Sequence, residues 1–291
     1  MMVQDRVPMT AVIQDVSGLG RCSLSVSLPV LSVMGIQAVP MPTALLSTQT
    51  DGYTGYTFCN LDSETEGISR HWEALGTHFD AILSGFLSGA RQVRQIVDVI
   101  ARLRKKDTVT VVDPVMGDGG AAYDTVDRAH MDAMRTLART ADFITPNETE
   151  ARILCGLDMQ TAYPVRQLVA ALCGAGYPRG VITGIRDGDQ IGCAVYENDL
   201  CNTVMRPAVQ IQYPGTGDLF AALFTGGLVR GYTPLEAVNA AVDFIGTVIR
   251  DTYRRQTPVR EGAVIEPHLG KLITMYNLAA EPQEGCVKYH E

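Results

Sequence analysis

Short runs of apolar and β-branched residues alternate along the chain with longer stretches whose apolar side chains recur at helical spacing. The first pattern is typical of buried strands and the second of helices. A repeated strand–helix order predicts a mainly parallel sheet with helices on both faces, so the predicted fold class is α/β. We predict strands at 7–14, 37–41, 81–84, 108–112, 143–145 and 180–183, a hairpin of 192–196 with 201–206, a loop at 15–20, a loop or edge strand at 47–57, and helices at 22–34, 64–75, 93–105, 128–139, 148–155, 166–175, 218–230 and 234–253.

The length and composition fit one large domain. The chain has 291 residues, of which 46% are hydrophobic, and this is enough for an extensive core. It contains no internal repeat, low-complexity segment or linker. We therefore expect a single domain spanning residues 1–291, in which a C-terminal tail of about 15 residues is loosely ordered.

The charge balance argues against nucleic acid as a partner. Lys and Arg number 24 against 32 Asp and Glu, a net charge of −8, and no basic block occurs. Seven scattered cysteines without C-x-x-C spacing are typical of reduced thiols in a cytoplasmic protein. The N-terminal residues lack the basic and apolar regions of a signal peptide, and no apolar run reaches membrane length. We expect a cytoplasmic protein with neither membrane nor nucleic acid as a partner.

Polar residues follow several of the predicted strands. Asp15 follows the first strand and Asp113 the fourth, while Thr145 and Asn147 lie at the end of the fifth and Thr183 closes the sixth. Ligands of open α/β sheets bind beyond the carboxyl ends of the parallel strands. These residues therefore predict a ligand site at that edge of the sheet.

The segment Gly215-Thr216-Gly217-Asp218 precedes an apolar run at helical spacing. Glycines let consecutive backbone N–H groups face one point, and a helix that begins there adds the positive end of its dipole. Such a turn suits a transferring phosphoryl group, and Asp218 could take the proton of an attacking hydroxyl. Judged alone, the segment also fits a glycine turn in which Asp218 is only the N-cap of a helix.

Two further acidic segments suit a magnesium ion. Asp113 and Asp118 lie on a loop bent by proline and glycine, and Glu150 follows in a later segment. Magnesium takes one or two carboxylates together with waters and substrate phosphates. The alternatives are local ones: the two aspartates fit a capped turn, and Glu150 with Asn147 fits the capping box of a helix.

In combination these segments resemble the ribokinase-like small-molecule kinases and, among them, the pyridoxal kinases. The resemblance implies a ribokinase-like three-layer sandwich and ATP-dependent phosphorylation of the 5′-hydroxyl of a vitamin B6 vitamer, namely pyridoxal, pyridoxine or pyridoxamine. The segments that carry it are DPVMGD at 113–118, ITPNETE at 144–150 and GTGDLF at 215–220, in this order, with further matching segments at 12–20, 42–53, 82–86 and 181–183.

The resemblance also implies roles for residues of this chain. The catalytic residues are the base Asp218 and the anion-hole residues Gly215, Thr216 and Gly217. The residues along ATP are Asp113, Thr145, Asn147 and Thr183. The acids around magnesium are Asp113, Asp118 and Glu150. The substrate contacts are Asp15, Thr50 and Phe86. ATP and Mg²⁺ are the implied co-substrate and cofactor, a homodimer is expected, and the use of a monovalent cation is left open.

Two positions depart from the vertebrate-like pyridoxal kinase pattern. Asp15 stands where that pattern has serine, and Phe86 stands where it has tyrosine. A carboxylate at position 15 could meet a protonated pyridine nitrogen or a substrate amine, so the preferred vitamer is left open.

Other functions are compatible with parts of the pattern. Hydroxymethylpyrimidine kinases are the first alternative, but they typically carry cysteine at the position of Asp218 and a first loop ending in Gln-Ala-Asp. Sugar kinases of the wider fold share GTGD but usually begin with an Asn-containing sugar-binding segment, which this chain lacks. A non-catalytic nucleotide- or vitamin-binding regulator is the second alternative, disfavoured because base, anion hole and metal acids are all present.

Overall fold

The computed structural model describes residues 6–198 and 200–276. The strands within this part of the chain are β1 (Met9–Leu19), β2 (Gln37–Thr48), β3 (Phe58–Asn60), β4 (Ala81–Ser84), β5 (Val109–Val112), β6 (Gly117–Asp118), β7 (Ala121–Ala122), β8 (Phe143–Ile144), β9 (Arg179–Asp187), β10 (Gln190–Glu197) and β11 (Leu200–Pro207). Among the described residues, nine of them form one sheet in the order β11-β10-β9-β8-β5-β4-β1-β2-β3, and β6 pairs with β7.

The centre of the sheet is parallel and its two margins are antiparallel. The pairs from β2 through β1, β4, β5 and β8 to β9 are all parallel. Strand β3 pairs with β2, and β10 pairs with β9 and β11, in antiparallel fashion. Parallel neighbours need long crossovers, which the helices supply, whereas a hairpin suffices for an antiparallel pair. The predicted mainly parallel α/β sheet is confirmed.

Helices cover both faces of the sheet. One core joins α1, α7, α8 and α9 to side chains such as Val12 and Leu83, and the other joins α2 to α6 to side chains such as Ile13 and Ile82. None of the helices described is long and apolar enough to cross a membrane. Their bounds are α1 (Ser23–Val33), α2 (Asp62–Ala74), α3 (Ala90–Leu103), α4 (Arg128–Ala138), α5 (Glu148–Cys155), α6 (Val165–Gly174), α7 (Thr216–Val229), α8 (Pro234–Arg254) and α9 (Leu269–Met275).

The prediction that the first strand ends before a loop at 15–20 is wrong. Strand β1 continues to Leu19 because β2, which we predicted to end at 41, also continues to Thr48 and pairs with it. The pairing register shifts between Gln14 and Val16, so Asp15 lies at an irregularity inside the strand. Thr183 likewise lies within β9 and does not close it.

The sequence pattern did not predict the small elements. The two-residue strands β6 and β7 and the short helix α9 are too short to show a period. The predicted loose tail lies outside the described residues, as do Cys286 and the hairpin residue Asp199.

Candidate active site

The turn before α7 can be made only by glycine. Gly215 is the N-cap residue of α7 and has a φ of 78°, a left-handed conformation that side chains disfavour. A Cβ at this position would lie 1.9 Å from the carbonyl oxygen of Arg21. The helix therefore begins at Thr216, and the first N–H groups of a helix have no partner within it. The amides of Thr216 and Gly217 thus lie in a region of positive potential.

Asp218 is the third residue of α7, not its cap, so the N-cap alternative is wrong. Its Oδ2 accepts a hydrogen bond of 2.8 Å from the backbone N–H of Ser23, and its Oδ1 accepts one of 3.2 Å from the Nε2 of Gln14. Ser23 is the first residue of α1 and has a φ of 49°, and its amide faces the carboxylate. The side chain of Asp218 is therefore fixed by two elements distant in sequence.

The environment makes Asp218 an unusually basic carboxylate. Burial first, and then the nearby charges of Asp113 and Asp15, raise the pKa of Asp218 to about 8 against the opposing effect of the Ser23 amide. A proton acceptor works best when its pKa lies near the working pH. This carboxylate is therefore suited to accept a proton from a neutral hydroxyl.

Asp15 is a second buried acid near the base. Its side chain is 4% exposed, and its Oδ2 accepts a hydrogen bond of 2.8 Å from the hydroxyl of Ser17. Burial raises the pKa of Asp15. Burial, with the charges of Asp218 and Asp15, also raises the pKa of the Cys22 thiol to about 12, so this thiol stays protonated.

Asp113 lies directly after β5 and faces the start of α7. Its Oδ1 accepts a hydrogen bond of 3.2 Å from the Oγ1 of Thr145, and its Oδ2 would lie 3.9 Å from a Cβ built on Gly217. Burial raises the pKa of Asp113. The carboxylate thus stands beside the helix amides that would receive a phosphate.

Glu150 is both a helix cap and a member of the acidic cluster. Asn147 is the N-cap residue of α5, and the Glu150 carboxylate accepts the N–H of Asn147 at 2.9 Å and that of Met116 at 3.0 Å. Burial raises the pKa of Glu150 well above its usual value, and the charge of Asp113 raises it further. The capping box is thus present, and its glutamate stands within electrostatic reach of Asp113.

Asp118 lies on the 117–122 hairpin formed by β6 and β7. Gly119 and Gly120, with φ of 59° and 83°, form its tight turn. The hairpin is tied to α5 because Asn147 Nδ2 donates to the Gly117 carbonyl at 2.8 Å and the Gly120 N–H donates to Thr149 Oγ1 at 2.9 Å. Asp118 itself is exposed, and within residues 6–198 and 200–276 its one recorded hydrogen bond is the one that Oδ1 accepts from the neighbouring Gly119 amide at 2.7 Å.

The remaining predicted site residues are Asn147, Thr183, Thr50 and Phe86. Asn147 and Thr183 form a parallel bridge between the start of α5 and β9. Thr50 is exposed in the loop after β2, and Phe86 is half-buried after β4. In residues 6–198 and 200–276, no recorded hydrogen bond joins the side chain of Thr50 or Phe86 to the acids.

Within the described part of the chain, the cluster of acids has no basic partner. Among the described residues, no salt bridge involves Asp15, Asp113, Asp118, Glu150 or Asp218. The same part of the chain holds no group of three His, Cys, Asp or Glu side chains arranged to bind a metal ion. Buried carboxylates are normally paired with cations, so the site requires positive charge from its ligands.

The sequence patterns did not single out three residues of the site. Gln14 and Ser23 bond to Asp218, and Tyr123 follows the 117–122 hairpin. Although Tyr123 is 46% exposed, its pKa is raised by the partial burial of its side chain and then by the charges of the acids, that of Glu150 foremost. Of these three, Gln14 alone had a signal in the sequence, namely a polar glutamine within a predicted buried strand.

The fold and the site together define a class: α/β kinases with a buried aspartate at a glycine turn and helix N-terminus. The phosphomethylpyrimidine kinase family matches residues 27–262, and the chain belongs to this family. Within the ribokinase-like superfamily, the comparisons group it with the vitamin B6 kinases.

Solved structures and curated relatives agree with this placement. A putative phosphomethylpyrimidine kinase from Bacteroides thetaiotaomicron, crystallised with pyridoxal, is 35% identical, with a TM-score of 0.86 over 92% of this chain and 96% of that one. Pyridoxal kinase from Lactobacillus plantarum is 31% identical, with a TM-score of 0.88 over 95% of this chain and 100% of that one. The pyridoxal kinase PdxY of Pasteurella multocida is 25% identical over 81% of this chain and 88% of its own length.

Proposed function

We propose that the chain transfers the γ-phosphoryl group of ATP to the 5′-hydroxyl of pyridoxal, pyridoxine or pyridoxamine, and releases ADP and the 5′-phosphate. The observation that carries the proposal is the Asp218 carboxylate, held by Gln14 and Ser23 at the amide-rich start of α7. The named activity of pyridoxal kinase relatives, and pyridoxal in the similar Bacteroides structure, supply the substrate class.

In this mechanism the hydroxyl oxygen forms a bond to the γ-phosphorus while the bond from that phosphorus to the β–γ bridging oxygen breaks. The hydroxyl proton passes to Asp218, and the bridging oxygen leaves with ADP. The amides of Gly215, Thr216 and Gly217 donate to the phosphoryl oxygens, where negative charge is concentrated. Asp218 is kept in reach of the hydroxyl by its two donors.

The acids Asp113, Asp118 and Glu150 fit a site for a magnesium ion. Carboxylate oxygens are its preferred protein ligands, and it needs only one or two of them beside waters and phosphates. Asp118 has an oxygen without a recorded partner, and Asp113 has one facing Gly217. Both carboxylate oxygens of Glu150 accept hydrogen bonds from backbone amides. Glu150 would therefore influence the ion through its charge beside Asp113 and not as a direct ligand. Magnesium, when bound, would offset the charge of these acids and of ATP.

We propose that ATP lies along Thr145 and Asn147, which follow β8, and along Thr183, which lies inside β9. Asp15, Thr50 and Phe86 are the proposed contacts of the vitamer. Asp15 supports this role because it is buried beside Asp218 without a cationic partner among the described side chains. A pyridinium nitrogen or an ammonium group of the substrate would supply the missing charge.

We also propose a cytoplasmic homodimer. Buried free thiols at Cys22 and Cys193 suit a reducing compartment. Exposed Leu45 and Phe58, 51% and 47% accessible, lie at the β2–β3 margin of the sheet, and a second copy of the chain is the partner we expect there. Light scattering of the purified protein should give twice the monomer mass, and a monomer would refute the dimer.

One observation favours a second candidate, hydroxymethylpyrimidine or its phosphate as the acceptor. The matching family is named for phosphomethylpyrimidine kinase. The aspartate at position 218 and the buried Asp15 favour the B6 vitamers over it.

An acceptor screen tests the function. ATP consumption would be measured with pyridoxal, pyridoxine, pyridoxamine, hydroxymethylpyrimidine, its phosphate and ribose, each with and without potassium. We expect turnover with at least one B6 vitamer and a dependence on magnesium. Turnover with a pyrimidine or ribose and none with any vitamer would overturn the proposal.

A further inference from the structure

Gln14 has contacts beyond its hydrogen bond to Asp218. It is fully buried in β1, and a buried amide normally has partners for both of its polar ends. Its Nε2 donates to Asp218 at 3.2 Å, and its Oε1 accepts from the hydroxyl of Ser27 at 2.7 Å. The glutamine thus connects the base to the first helix.

The orientation of this amide follows from the charge of the base. An ionised carboxylate only accepts hydrogen bonds, so Gln14 must present its N–H₂ to Asp218. Its carbonyl oxygen then faces Ser27, and the Ser27 hydroxyl must donate to it. Ser27 therefore adds a second hydrogen bond to Gln14 in the orientation that supports an ionised Asp218.

Gly85 gives the glutamine its space. A Cβ at position 85 would lie 2.6 Å from the Nε2 of Gln14 and 2.9 Å from its Cγ. Gly85 has no positive φ, so the backbone itself would accept alanine there. Glycine at position 85 is therefore required by the space that Gln14 occupies and not by the backbone conformation.

We propose that Gln14 is the positioning residue of the catalytic base: locked by Ser27 and Gly85, its amide fixes the Asp218 carboxylate toward the acceptor hydroxyl. The inference rests on the proposed function in taking Asp218 as the base. With Ser23 on the other oxygen, the carboxylate has a donor on each side, so it cannot rotate without losing a hydrogen bond. Small misplacements of a reacting group can cost about 100-fold in rate.

The test compares three variants of the full chain. Gln14→Met removes the donor at nearly constant volume, and Gly85→Ala displaces the amide while Gln14 remains. Gln92→Met is the matched control, because Gln92 is equally buried and its amide bonds to the Thr43 carbonyl and the Ser88 N–H, each at 2.8 Å. For each we would measure the melting temperature and, on the folded protein, kcat and both KM values with the best vitamer.

We expect kcat to fall by about 10- to 100-fold in Gln14→Met and in the same direction in Gly85→Ala, with KM for ATP within about twofold of wild type. Gln92→Met should have a lower melting temperature than wild type and an unchanged kcat. A kcat within about twofold of wild type in Gln14→Met, or an equal loss of kcat in Gln92→Met, would overturn the role of Gln14.

The proposed function is judged separately with Asp218→Asn. If Asp218→Asn is inactive and Gln14→Met is normal, only the positioning role fails. If Asp218→Asn is fully active, the base assignment fails and the positioning role fails with it. Should Gln14→Met not fold, Gly85→Ala decides the question, because it leaves every polar group of the network in the chain.

Discussion

Asp218 and Asp118 belong to one cluster of acids, yet the protein holds them in different ways. Each oxygen of Asp218 accepts a hydrogen bond from a different element, β1 and the start of α1. Asp118 is exposed on a two-stranded hairpin, and its recorded hydrogen bond comes from the next residue. The fold therefore orients the proposed base without a ligand, whereas the exposed side chain of Asp118 can adjust to one.

The difference follows from what each group has to do. A base must meet one hydroxyl in one direction, so its orientation is worth fixing in the fold. A magnesium ligand meets an ion that arrives with waters and phosphates, so an exposed carboxylate on a short hairpin suffices. Glu150 lies between these cases, because the cap of α5 fixes it and its charge acts on Asp113.

The largest effect should come from removing the base. Asp218→Asn keeps the shape of the side chain but cannot accept the proton, so we expect kcat to fall by about 10²- to 10⁴-fold with KM for ATP nearly unchanged. Steady-state kinetics with the best vitamer measure this. Asp98→Asn, on the exposed face of α3, is the control and should be fully active. Near-normal turnover in Asp218→Asn would reduce that residue to a structural role.

The pH profile should report the same carboxylate. Only ionised Asp218 can accept a proton, and its pKa is raised to about 8. We therefore expect kcat/KM for the vitamer to rise with pH up to about 8 and to fall about tenfold per unit below it, since kcat/KM reports ionisations of the free enzyme and free substrate. The residual activity of Asp218→Asn should lack this slope. If wild type and variant share it, the slope belongs to the substrate or to another group.

A smaller effect is expected on the magnesium side. Glu150→Gln keeps a cap residue for α5 but removes the charge behind Asp113, so the magnesium needed for half-maximal rate should rise by about tenfold. Glu236→Gln is the matched control, because Glu236 completes the capping box of α8 with Thr233 and is exposed. Magnesium titrations that are identical for the two variants would leave Glu150 as a cap alone.

The same pair predicts opposite trends of stability with pH. The pKa of Glu150 is raised in the folded state, so its contribution is present at low pH and is lost as pH rises through the folded value. The pKa of Glu236 is lowered by the Thr233 side chain, so its contribution is present above the unfolded value and is lost as pH falls. The melting temperature of Glu150→Gln relative to wild type should therefore increase with pH, and that of Glu236→Gln should decrease.

Local patterns predicted most of the elements of the fold and the capping box of α5. The helical spacing after Gly217 predicted α7, and β-branched residues predicted β5 and with it the place of Asp113. The C-terminal ends of β1 and β2 were not predictable from local sequence, because their serines and glycine are typical of a loop. They are extended because the two segments pair with each other. Asp15 was consequently placed in a loop when it lies inside a strand.

The sequence by itself determined which segments turn at glycine, which helix begins after a glycine turn, and which acids follow the strands. These properties depend on residues adjacent in the chain, so local physics decides them. Only the tertiary structure decided how the base is held. Gln14 and Asp218 lie 204 residues apart, and the space that Gly85 leaves for the amide exists only because β4 packs beside β1. Contacts between distant segments depend on the packing of the whole sheet, and no local pattern records them.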